Sequence, residues 1–169
     1  MTDFDPTKIE INTDDGSLWM EGWLNHSGAF FRVPYMTHLD GNLWMGGCWT
    51  GLVLPEFIDH VVSLYPWEKY KINHTASRTE IQVYDSTSDF DPDIYVNAAT
   101  AVAEIMQDQK VLVHCQAGIN RSSLVSGLAL ILSGVVETGQ EAIDLIREKR
   151  SPEALSNPVF REYLRSFKE

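Results

Sequence analysis

The sequence predicts an α/β fold in which a central, mostly parallel sheet is flanked by helices. Three observations lead there. Short apolar runs of strand length alternate with longer segments of helical periodicity. One of the runs, KVLVH at 110–114, is β-branched and bounded by polar residues, as a strand buried on both faces should be. The segment from Ser122 to Ser133 is apolar nearly all round, which marks a central buried helix. With 169 residues and no internal repeat or long linker, the chain reads as one domain, 1–169.

Taken in order, KIEIN at 8–12 alternates like a strand, and SLWMEGWLNHSGAFFRVPY at 17–35 sets aromatics between turn residues, as hairpins do. GNLWMGG at 41–47 reads as a short strand ending in glycines. LPEFIDHVVSLY at 54–65 carries Pro55 at a first helical position. Phe57, Ile58, Val61, Val62 and Tyr65 fall on one face, which predicts a helix. SRTEIQVYD at 77–85 is a strand leaving the core at Asp85. Asp91 and Pro92 are the cap and first residue of a helix that turns Ile94, Ala98, Val102, Ile105 and Met106 inward. Thr138 and Glu141 have capping-box spacing, and their helix ends in REKR, cations that suit its C-terminal dipole. Asn157 and Pro158 open a last helix with Val159, Phe160, Tyr163, Leu164 and Phe167 on one stripe.

Composition narrows the function. The chain is 44% hydrophobic and 22% charged, the balance of a soluble globular protein, and no run of about 18 apolar residues predicts a membrane span. An acidic, polar N-terminus excludes a secretory signal and points to the cytoplasm. Two cysteines far apart, Cys48 and Cys115, read as thiols. A formal charge of −11 repels polyanions, so nucleic acid and anionic membranes are not expected as partners.

Between KVLV and the buried helix lies HCQAGINRSS, 114–123. A strand, a loop with a central glycine and a helix make an anion site. The backbone N–H groups of 116–121 can turn toward one point, and the helix dipole adds positive potential. Gly118 lets the chain bend there. Arg121, six residues after Cys115, can curl back and offer a bidentate fork. Cys115 should then have a lowered pKa and face the bound anion as a thiolate, ready for covalent catalysis.

HCQAGINRS resembles the HCxxGxxRS signature of the cysteine-dependent protein phosphatases, and the chain's length and element order resemble the small dual-specificity branch. The likeness covers 38–169, leaving 1–36 as an N-terminal extension. The resemblance implies a three-layer sandwich and a phosphatase acting on phosphotyrosine and phosphoserine or phosphothreonine in proteins through a phosphocysteine. It needs no cofactor and no metal. By resemblance Cys115 is the nucleophile, Arg121 binds phosphate, Ser122 helps expel the thiolate, and His114 holds the loop and tunes the thiol. Gln116, Ala117, Gly118, Ile119, Asn120 and Arg121 form the phosphate cradle. The family places its general acid about 30 residues before the cysteine. Asp85 takes that role, with Asp89 in reserve, while Asp91 and Asp93 are explained as cap and first-turn acid. The uncharged QAGIN argues against phosphoinositide substrates. An RNA 5′-phosphatase of the same fold and a phosphate-binding module without turnover are the alternatives.

Other features persuade less. Cys48 could pair with Cys115 in a protective disulfide or be a plain buried thiol. Asn120 could orient the loop or simply turn the chain. Trp19, Trp23, Trp44, Trp49 and Trp67 are read as packing and hairpin residues. His26, His38, His60 and His74 have no zinc-ligand spacing.

Overall fold

The computed structural model describes residues 5–13 and 18–169. Residues 1–4 and 14–17 of the N-terminal extension, including Ser17 at the start of the expected hairpins, lie outside the described residues. A small antiparallel sheet comes first, with β1 (Ile11–Thr13), β2 (Trp19–Trp23) and β3 (Phe30–Pro34) in that order. The expected 8–12 strand is thus shorter and begins later. Strands β4 (Met36–Asp40), β5 (Leu43–Gly46), β6 (His60–Ser63), β7 (Ser77–Glu80) and β8 (Val111–His114) form a second sheet in the order β4-β5-β8-β6-β7. Only the β4–β5 pair is antiparallel, so the sheet is mostly parallel and β8 lies at its centre, as KVLVH predicts.

Four helices accompany this sheet: α1 (Pro92–Ile105), α2 (Arg121–Leu132), α3 (Gly139–Lys149) and α4 (Pro158–Ser166). The local signals at their ends behave as the sequence suggests. Asp91 accepts from the amide of Asp93, Thr138 and Glu141 close a capping box, and Asn157 accepts from the amides of Val159 and Phe160. All four helices add side chains to one core on the sheet face that bears Val62, Val111 and Val113.

The expected helix at 54–65 is corrected by the structure. Residues 54–59 form an irregular turn, and His60–Ser63 is strand β6, paired between β8 and β7. Val61 and Val62 face opposite sides of the sheet, Val61 packing with Leu112, Ile58 and Tyr70, and Val62 with the helical core. A strand buried on both faces has no polar alternation, so its short apolar run mimics a helix stripe. The strand read at 77–85 likewise stops as β7 at Glu80 and continues irregularly to Asp85.

The N-terminal sheet has its own apolar cluster. Met20, Leu24, Phe31 and Val33 pack against Ala117 and Ile119, two side chains of the 114–123 loop. Ile119 is 1% exposed, and burying an isoleucine contributes roughly 1.5–3 kcal/mol. The extension is therefore tied to the outside of the loop. Trp23 and Phe30, paired across β2 and β3, close the far end of the hairpin edge to face.

Candidate active site

The loop leaves β8 at His114 and enters α2 at Arg121. Gly118 holds φ at +70°, and a Cβ there would lie 2.5 Å from both an Arg150 nitrogen and the Gly46 carbonyl carbon. Only glycine fits on both counts. Asn120 precedes α2 but makes no side-chain cap, because its carboxamide is committed elsewhere. The positive end of α2 is left directed at the loop.

Cys115 is 2% exposed, with its sulfur 3.3 Å from the Ser122 hydroxyl. Burial alone would push its pKa up. The Arg121 charge, the Ser122 hydroxyl and the backbone amides of Ser122 and Gly118 outweigh burial and hold the thiol below its ordinary value. Arg121 is equally buried, and its guanidinium lies over the Tyr65 ring. Its Nη1 donates to the Val83 carbonyl at 3.1 Å and to Asp5 Oδ2 at 3.0 Å. Its buried Nε has no hydrogen-bond partner among the described residues. An orphaned donor in this position is suited to an oxyanion. His114 is fully buried, which lowers its pKa to about 4. The neutral ring therefore carries its proton on Nδ1 and donates to the Cys115 carbonyl at 3.0 Å.

Asp85 reaches the same cleft from the chain after β7, alongside Cys115, Asn120 and Arg121. Its Oδ1 accepts from His26 Nε2 and Asn157 Nδ2, both at 2.8 Å, and its Oδ2 from Asn120 Nδ2 at 2.9 Å. Burial would raise its pKa, yet the His26 hydrogen bond, the Arg121 charge and Asn157 bring it below the usual carboxylate value. The His26 pKa is raised, chiefly by the same hydrogen bond. Asp89 is exposed and borders a separate depression with Asp91 and Tyr95.

A family model described as dual specificity phosphatase, catalytic domain, matches residues 56–169, a stretch that holds the whole loop and Asp85. The chain belongs to the dual specificity phosphatase family. The fold agrees with solved members. Human tyrosine phosphatase-like serine/threonine/tyrosine-interacting protein aligns with a TM-score of 0.65 at 18% identity, over 76% of this chain and 92% of that one. DUSP15 aligns at 0.60 and 20%, over 78% and 86%, and human DUSP28 at 0.59 and 16%, over 78% and 90%. A search of curated proteins finds no match.

Three features of this family member escape sequence reading. Arg150, taken as a helix-end cation, is buried behind the loop. It donates to the carbonyls of Gly118 at 2.6 Å, Ala117 at 2.9 Å and Pro34 at 2.9 Å, and to Thr37 Oγ1 at 2.9 Å. Holding those carbonyls outward turns the neighbouring amides inward. His26, read only as lacking zinc-ligand spacing, pairs with Asp85. Asn157, read as a cap alone, also holds Asp85. The REKR run offered a cue to Arg150; nothing local signals the other two contacts. Cys48 is buried and free, and burial pushes its thiol well up, opposite to Cys115. Among the described residues, no group of three or more His, Cys, Asp or Glu is placed to hold a metal ion, and no helix is long and apolar enough to cross a membrane.

Proposed function

We propose that the protein hydrolyses phosphomonoesters of phosphotyrosine and phosphoserine or phosphothreonine in proteins through a phosphocysteine. The observation that carries this reading is a buried cysteine 3.3 Å from the Ser122 hydroxyl, its thiol pKa lowered by the charge of an arginine whose Nε–H is unpartnered among the described residues. The Cys115 thiolate attacks phosphorus in line, and the P–O ester bond breaks. Arg121 and the amides of 116–121 bind the equatorial oxygens, where charge accumulates. The leaving oxygen takes a proton from the Asp85 side of the cleft. Water then attacks the phosphocysteine, releases phosphate and returns the electron pair to sulfur, with the Ser122 hydroxyl donating to the re-formed thiolate. His114 and Arg150 hold the loop's carbonyls throughout.

The uncharged Gln116–Asn120 side chains and the net charge of −11 favour phosphoprotein over lipid or RNA substrates. Phosphate binding without turnover is the competing reading, favoured by the near-complete burial of Cys115 and Arg121. Hydrolysis of para-nitrophenyl phosphate separates the two. Wild type should turn over, and Cys115→Ser should lose turnover while still binding vanadate. Equal rates in both proteins would reject the enzymatic reading.

A further inference from the structure

Residues 5–13 cross the mouth of the cradle as a strap, with a turn at 6–7 and then β1 at the edge of the small sheet. Asp5 forms its ion pair with Arg121 at side-chain exposures of 1% and 3%. Thr7 donates from its amide and hydroxyl to Asp5 Oδ1, at 2.8 and 2.5 Å, and its Oγ1 accepts from the Asp85 amide at 3.2 Å. Gln116 holds Ile9 through both main-chain groups. Its N–H donates to Gln116 Oε1 at 3.2 Å, and its carbonyl accepts from Gln116 Nε2 at 2.7 Å.

Between strap and loop, Thr7, Ile9, Leu24 and Asn25 roof a void of about 10 Å³ over Cys115 and Arg121. That is room for a single water. Phosphate, with five heavy atoms, does not fit, so any phosphoester must displace the strap.

The strap also shows what the groove recognises. It is a peptide with an anionic side chain on the phosphate-binding guanidinium and its main chain on a buried carboxamide. A glutamine carboxamide pairs with a backbone N–H and C=O as another strand would, without regard to side chain. Any extended peptide offers the same pair. Resting on the phosphatase reading above, we propose that the strap is an intramolecular stand-in for substrate. Phosphopeptide enters by taking Arg121 from Asp5 and Gln116 from Ile9, which makes the Gln116 side chain a specificity-determining reader of substrate main chain.

The test uses the full chain and readouts that need no turnover. One is the rate at which iodoacetamide alkylates Cys115. The other is calorimetric affinity for inorganic phosphate and for a peptide carrying a phosphonomethyl mimic of phosphotyrosine. Asp5→Ala should speed alkylation several-fold and tighten both ligands; Asp5→Asn, which keeps the turn with Thr7, should act in the same direction. Adding Gln116→Ala to Asp5→Ala should lower peptide affinity relative to phosphate by about tenfold, the worth of the two hydrogen bonds. Unchanged alkylation with weaker phosphate binding in Asp5→Ala would overturn the proposal, because Asp5 would then merely orient Arg121. An unchanged peptide-to-phosphate ratio would overturn the assignment to Gln116. Failure of the phosphatase reading shows separately, as absent hydrolysis in every variant while these shifts persist.

Discussion

Cys115 is buried and Asp85 half-buried, and named partners nonetheless hold the pKa of each below its ordinary value. For Asp85 the dominant favourable partner is His26, whose own pKa is raised above 6.5. Between the two values the pair is an imidazolium beside a carboxylate, so in the proposed mechanism the transferable proton resides on His26. The rate kcat/KM should fall as pH rises through the His26 pKa, above 6.5, and this limb should move to lower pH in His26→Asn. A limb that stays in place would assign the proton to another group. The same pair bears on stability. The share from His26 is complete below 6.5 and disappears as pH climbs through its raised folded value. The share from Asp85 is present above 3.8 and disappears as pH falls through its lowered folded value. Together they stabilise most between those limits. Of these residues, Cys115 and Arg121 stand out in sequence because they share nine consecutive residues, and Asp85 because it lies 30 residues ahead of Cys115, although the strand expected to end at it stops at Glu80. His26 is not, because it meets Asp85 across 59 positions with no local pattern marking it.

At the scale of elements, α4 joins folding to the site through one residue. Asn157 caps the helix with Oδ1 and holds Asp85 with Nδ2. Asn157→Ser keeps a good cap but loses the reach to Asp85, so it should leave unfolding free energy nearly unchanged while slowing turnover. Asn157→Ala should slow turnover and also cost about 1 kcal/mol in denaturant unfolding. Equal stability losses in the two variants would show that the Asp85 contact, not the cap, dominates. Caps are legible because they depend on residues three or four apart. The segment 54–65 is not, because the strand periodicity of β6 is erased where both faces are apolar. Pairing with β7 and β8, both more than 15 residues further along the chain, decided its state.

For the molecule as a whole, the proposed oxyanion site would couple ligand to fold. An oxyanion that binds only the folded chain adds about 2.7 kcal/mol at one hundred times its dissociation constant. For a chain of this size, that corresponds to a rise in Tm of roughly 5–10 °C. Vanadate should produce this shift in wild type and in Cys115→Ser. Arg121→Lys should lose most of it, since a point charge does not replace the fork. An equal shift in Arg121→Lys would place the anion elsewhere. The N-terminal sheet takes part in the same coupling, because its core includes Ala117 and Ile119 from the back of the loop.

By itself the sequence determined the α/β class, the central strand, the helix caps and the nine-residue cradle. Each is set by neighbours within a turn or two of chain, where spacing alone dictates geometry. Only the tertiary structure decided what surrounds that cradle: Arg150 behind it, His26 and Asn157 on Asp85, and Asp5 across its mouth from 116 residues away. Such contacts follow from how whole sheets and helices pack, and no local pattern encodes where two distant surfaces meet.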